Sequence, residues 1–333
     1  MEDKRMEMTP DAGRRTMTTH AAGAILAQVA AVVGAPDFVL PWLDRFYDGD
    51  AVELLLAVAT LSEIDDEPTA LDDVDPARLE RAVRRAVLDR DEAGAYAPAS
   101  FRDRLEIWAM LEGWKDIPSA LHRELADWEV GNYAESIREG LEALKDGRSA
   151  DSDQAGYTYL LLAEGEDVIA AEEHIYLWPC DCRAIVGRCR KPANVCLRFE
   201  NDRGLGWEIS KERAVETLRA ADRAGLTHTG HPRGSEPAPG AICNCCTDCC
   251  FPHLATERLG TSDVWPVRRH VAVIDEDACR PCGRCARRCP FAAITADSVG
   301  SPWLEPAACR GCGLCSTTCP TEAIAMRPLI APA

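Results

Sequence analysis

The sequence predicts a multidomain α+β protein: a helical N-terminal domain, a cysteine-rich middle domain and a β-α-β repeat at the C-terminus. Three observations carry this. The first of seventeen cysteines is Cys180, so more than half of the 333-residue chain has no thiol. Nine cysteines then crowd residues 180–250, and the remaining eight fall in two copies of one 30-residue unit. The expected domains are 1–148, 157–267 and 268–330.

Residues 1–150 carry a formal charge of −14, residues 151–267 of −6 and residues 268–333 of +2. An acidic surface repels phosphate, so no nucleic-acid partner is expected. Arg14-Arg15 precede the apolar run Ala21 to Ala35 and loosely imitate a twin-arginine export signal. Thr16-Met17-Thr18-Thr19 do not continue that pattern, while Ile25, Val29, Val32 and Val33 lie at helical spacing, so the run reads as a core helix. No other apolar stretch is long enough to span a bilayer. Cysteines in C-x-x-C strings point to soft-metal ligation in a reducing compartment, and the chain reads as cytoplasmic.

The helical half comes first in order. DGDAVELLLAVATL predicts one helix and PARLERAVRRAVLDRD another, with Pro76 at its first turn. AGAYAPASFRDRLEIWAMLEGW turns through Gly-Ala-Tyr into a third. Helix, helix, then a short strand-like element resembles a winged-helix module at the level of fold alone. Arg81, Arg84 and Arg85 read as a solvated face, and Trp108, Trp114, Trp128 and Tyr133 as core or interface. KDGRSADSDQAG, residues 145–156, reads as a linker.

The middle domain opens on WPCDCRAIVGRCRKPANVC, which supplies Cys180, Cys182, Cys189 and Cys196. A helix follows, with Ser210 as N-cap, Glu212 in the first turn, Val215, Leu218 and Ala221 in phase, and Gly225 closing it before Leu226. It is expected to fold the first thiol group onto the second. That second group is ICNCCTDCC, with Cys243, Cys245, Cys246, Cys249 and Cys250. Cys243, Cys246 and Cys249 have C-x2-C-x2-C spacing and read as a tripod for a cluster, its fourth ligand drawn from the upstream four. Adjacent cysteines diverge along the backbone, so each pair is expected to face two sites. One or two additional iron–sulfur clusters are expected here, with structural zinc and a redox-active disulfide as alternatives. His174, His228, His231 and His253 lie near these thiols and are expected to be polar neighbours.

In the C-terminal part, VIDEDACRPCGRCARRCPFAAI aligns with WLEPAACRGCGLCSTTCPTEAI, each half reading C-x2-C-x2-C-x3-C-P. This run resembles that of bacterial ferredoxins, which holds 4Fe-4S clusters. Three thiolates at i, i+3 and i+6 reach three corners of one cube, and Gly283, Gly311 and Gly313 let the backbone turn around it. The fourth cysteine is expected to open a short helix at Pro290 or Pro320. The resemblance implies two interleaved 4Fe-4S clusters, one on Cys279, Cys282, Cys285 and Cys319, the other on Cys309, Cys312, Cys315 and Cys289. Arg280, Arg284, Arg287, Arg288 and Arg310 decorate these loops, where they raise the cluster potential, dock a partner or face solvent.

From about residue 176 onward, the CxCR segment, the GLGxxIS helix ending in AGL-x-H, the ICNCCxxCC string and the two-cluster tail together resemble a family of 4Fe-4S-binding proteins of anaerobes. The resemblance implies electron transfer and names no substrate. The expected function is therefore an electron-transfer protein or subunit, passing single electrons through the two C-terminal clusters to or from a middle cluster and a partner oxidoreductase. The alternatives are an oxidoreductase with its active cluster in the Cys180–Cys250 region and a redox or iron sensor. An open iron site needs fewer than four protein ligands, and nine cysteines give no sign of shortage. No phosphate-cradling glycine fingerprint, C-x3-C-x2-C radical motif or hydrolytic triad is present.

Overall fold

The apolar run of the N-terminal half forms α1 (Thr19–Val33), which buries Val29 and Val33. In this computed structural model, residues 19–64, 71, 73–114, 116–148, 157–201, 203–233 and 236–329 are described. The Arg14-Arg15 pair and most of the expected linker, residues 149–156, lie outside them. Among the described residues no single helix is long and apolar enough to cross a membrane. Two compact units are formed, Met1–Leu111 and Glu112–Ala333.

In the first unit a 3-10 helix (Asp37–Arg45) and α2 (Gly49–Ile64) follow α1. α3 (Pro76–Arg84) starts where Asp75 accepts a hydrogen bond from the Ala77 amide at 3.0 Å, with Pro76 in the first turn. This helix stops earlier than its sequence run suggests. Ala86 takes a positive φ of 53°, and buried Leu88 starts strand β1 (Leu88–Arg90), antiparallel to β2 (Tyr96–Pro98). Pairing two strands here outweighs the helix propensity of the arginine-rich run. α4 (Phe101–Leu111) then brings Phe101 and Trp108 against Phe46, with ring centroids 5.2 and 4.5 Å away. The buried Arg104 guanidinium donates to the carbonyls of Phe46 and Arg85 at 2.8 and 2.9 Å. Arg85 pairs with Asp48 at 2.6 Å.

The second unit begins with α5 (Ser119–Lys145) and continues through β3 (Thr158–Leu160), α6 (Leu162–Ala171), β4 (Tyr176–Pro179), α7 (Asp181–Val186), β5 (Asn194–Arg198), β6 (Trp207–Glu208), α8 (Lys211–Arg223), β7 (Thr227–Arg233), β8 (Glu236–Cys245) and α9 (Phe251–Leu259). Its six strands make one antiparallel sheet in the order β3-β7-β8-β5-β4-β6. Side chains alternate across a strand. Leu197 and Ile242, paired across β5 and β8, therefore share the face that packs on Ile169 of α6 and on Ala214 and Leu218 of α8. Cys196, Cys243 and Cys245 take the other face.

α8 has the predicted ends. Ser210 accepts from the Arg213 amide, and Gly225 (φ 80°) follows its last turn. It does not fold one thiol group onto the other, because it lies on the face away from the thiols. Strand pairing brings them together instead.

The C-terminal repeat adds β9 (His270–Ile274), α10 (Arg284–Arg288), β10 (Ile294–Ala296), β11 (Pro302–Leu304), α11 (Leu314–Thr317) and β12 (Ile324–Pro328). The first strand pairs with the last, Ile274 opposite Ile324, and β10 pairs with β11. The short helices come before the fourth cysteines, not after them. Gly283 and Gly313 start them in the left-handed conformation, and Cys289 caps the end of α10. Pro290 and Pro320 instead sit in the turns that follow.

Candidate metal centres

The repeat forms two partly open, thiol-lined cavities. One is lined by Cys279, Cys282, Cys285 and Cys319. The other is lined by Cys289, Cys309, Cys312 and Cys315. Each gathers three cysteines of one loop and the fourth cysteine of the other half. Four soft donors around a cavity suit an iron–sulfur cluster. Cys282 is exposed and opens the first cavity towards solvent, while burial pushes the Cys312 and Cys315 thiols up. The two cavities thus differ in access to water.

The nine middle cysteines divide six and three. Cys180 caps α7 and Cys182 lies in its first turn. Cys196 comes from β5, Cys243 and Cys245 from β8, and Cys250 caps α9. Their thiols neighbour one another around a closed hoop in the order Cys180, Cys182, Cys250, Cys245, Cys243, Cys196 and back to Cys180, each shifting the proton affinity of the next. Cys180 and Cys245 stand at opposite poles. Hydrogen bonds from Cys182 and Cys196 hold the Cys180 thiol well below its usual range, and those from Cys243 and Cys250 do the same for Cys245. The Phe251 amide donates to Cys182 Sγ at 3.5 Å, and Thr229 Oγ1 lies 3.5 Å from Cys245 Sγ. Helix N-termini and hydrogen-bond donors favour thiolate over thiol.

Cys189, in the loop after α7, meets Cys246 and Cys249, in the turn between β8 and α9. Their three Sγ atoms lie within 4.8 Å of one another, and Cys189 and Cys246 are 3.8 Å apart. Hydrogen bonding from Cys249 brings Cys246 down to about 5. The tripod suggested by spacing is therefore not assembled: Cys243 belongs to the hoop, Cys246 and Cys249 to the group of three. Both adjacent pairs do face two sites, as Cys245 and Cys250 are in the hoop.

Arg183 is the functional residue that sequence reasoning missed, although it stands in the quoted CxCR segment. It is buried, its Nη2 donates to the Asn244 carbonyl at 2.9 Å, and its guanidinium lies against Cys246. Burial lowers its affinity for a proton, but Cys180 and the other surrounding thiols outweigh this and hold it up.

Among the described residues no histidine joins a metal-ligating group. His174 pairs with Glu208 at 2.8 Å, and His228 Nδ1 bonds the Asn244 side chain. His231 stands edge-on to Tyr157. His253 belongs to an aromatic group with Tyr159 and Phe291, centroids 6.3 and 5.6 Å away, and Tyr159 meets Phe291 at 5.8 Å. Phe291 lines the second cavity. Burial holds Tyr159 above the usual phenol range, helped by Cys312 on one side and Cys250 and Cys245 on the other.

Polar contacts fasten the repeat beside the sheet. Asp222, near the end of α8, accepts from Thr317 Oγ1 at 3.1 Å and from Arg288, whose Nη1 also donates to the Arg223 carbonyl at 2.9 Å. Arg269 pairs with Glu164 at 2.7 Å. Arg288 is thus a structural contact, and Arg287 donates to the Cys282 carbonyl of its own loop.

A family model described as a 4Fe-4S dicluster domain matches residues 272–326. No curated protein and no solved structure matches the chain. The C-terminal part is a 4Fe-4S ferredoxin-like domain, and the chain binds iron–sulfur clusters.

Proposed function

We propose that the protein is an electron-transfer protein or subunit that works with a partner oxidoreductase. Cys279, Cys282, Cys285 and Cys319 hold one 4Fe-4S cluster; Cys289, Cys309, Cys312 and Cys315 hold the second; the six-thiol hoop holds a further iron–sulfur cluster. When bound, such clusters supply one-electron transfer. The observation that carries this reading is the contact of Tyr159, His253 and Phe291 between the hoop and the second cavity. Tyr159 and His253 are buried, and Tyr159 has Cys312 of the repeat and Cys250 and Cys245 of the hoop around it. The exposed Cys282 side of the first cavity is where the partner docks. Seventeen thiols suit a reducing compartment, in support of a cytoplasmic setting. The first unit, in which α3 leads into a two-stranded hairpin, is winged-helix-like and acidic, which favours a protein partner over DNA.

Iron and acid-labile sulfide in protein purified without oxygen test the reading. About 8 iron per chain fill the repeat alone, counting four per cube, and the proposal expects more than that. Iron at the lower value, with the hoop thiols free to alkylation, sinks the middle cluster. A second reading, an oxidoreductase with its active centre in the Cys180–Cys250 region, gains from the group of three thiols, because that set is short of a fourth ligand.

A further inference from the structure

Cys189, Cys246 and Cys249 differ in kind from the hoop. Two thiolates on one tetrahedral ion, with bonds of about 2.3 Å, stand about 3.8 Å apart. Cys189 and Cys246 have that separation, and Cys249 lies within 4.8 Å of both. Thiolates on an iron–sulfur cube sit on different irons and stand farther apart. Within the hoop, Cys180 and Cys182 crowd in this way only together with the carboxylate of Asp181. Cys189, Cys246 and Cys249 are the set of three thiols that converges among the described residues.

The group also stops at three. Among the described residues no fourth cysteine, histidine or carboxylate atom comes within 4.8 Å of all its members. Zinc sites closed by four protein ligands are structural, and those with three keep a position open. Cys246 and Cys249 are buried, while Cys189 is half-buried in a loop whose neighbours Arg188 and Arg190 are exposed, so the site has one side towards solvent. Three thiolates on a divalent ion leave a charge of −1, and the buried guanidinium of Arg183 beside Cys246 balances it.

We infer that Cys189, Cys246 and Cys249 bind one zinc ion at a site separate from the iron–sulfur centres, with its fourth position left to a ligand from solution. Water occupies it at rest. A small thiol, as a soft anion, replaces the water. The inference stands on the three-thiol geometry and does not depend on the electron-transfer reading.

The test uses the full chain, purified without oxygen and supplied with iron, sulfide and zinc. One zinc per chain accompanies the iron, and Cys189→Ser loses the zinc but keeps the iron. Zinc absent from the wild-type chain, or iron lost from Cys189→Ser with no loss of zinc, overturns the proposal. Cobalt(II) in place of zinc gives a second reading on the unaltered chain, whatever the variant's folding. Adding 2-mercaptoethanol shifts its visible ligand-field bands if the fourth position is open. Bands that do not move show a closed site and overturn the open position.

Discussion

Cys245 and Cys246 are joined by one peptide bond and belong to different thiol groups, because successive side chains at the end of β8 leave on opposite sides. Cys249 and Cys250 repeat the division across the start of α9. Cys245→Ser should therefore lower middle iron while leaving zinc, and Cys246→Ser the reverse, read by elemental analysis of the two variants. In the repeat, Cys289 lines the cavity of the other loop. Cys289→Ala is expected to remove about 4 iron and the magnetic coupling between the two reduced clusters, leaving an isolated cluster signal by electron paramagnetic resonance. Loss of both clusters, or of neither, argues against the interleaved arrangement. Gly311 has φ 72°, and a Cβ there would run into the His270 carbonyl. Gly311→Ala combines left-handed strain of roughly 1–3 kcal/mol with that collision. A marked drop in melting temperature of the iron-loaded chain is expected.

Elements here are placed by their ends as much as by their faces. α8 begins at a serine whose side chain accepts from the Arg213 amide, so Ser210→Ala should cost about 1 kcal/mol in a denaturant titration. Near its other end Asp222 receives Thr317 and Arg288 from α11 and α10. Thr317→Val removes one hydrogen bond to a carboxylate at the edge of this contact and should cost roughly 1 kcal/mol, with faster amide exchange concentrated in α10 and α11. Uniform exchange over the whole sheet would contradict a local fastening role. α3 ends at Arg84 because Val87 and Leu88 are buried and lead into the hairpin, so helix propensity yields to tertiary burial.

At the scale of the second unit, an antiparallel sheet carries an apolar layer on one face and a thiol layer on the other, with the repeat fastened at Asp222 and Glu164. Tyr159, His253 and Phe291 occupy the junction. Phe291→Ala should keep its iron content, because Phe291 ligates nothing, yet slow redistribution of a single added electron between the repeat and the middle cluster. Rapid-freeze spectroscopy after one-electron reduction measures this. An unchanged rate would mean that the rings are packing alone.

Local order determined what could be read from the sequence. The eight repeat cysteines, the start of α3 at Pro76 and both ends of α8 depend on neighbours a few residues away, so spacing and capping chemistry were enough. The division of nine thiols into six and three was legible only as the divergence of adjacent pairs. Its membership rests on contacts between distant segments: the pairing of β5 with β8, the loop that carries Cys189 to Cys246, and a helix cap that returns Cys250 to Cys245. No local pattern encodes which strand lies beside which. Only the packed sheet decided it, and with it the place of Arg183 between the two thiol groups.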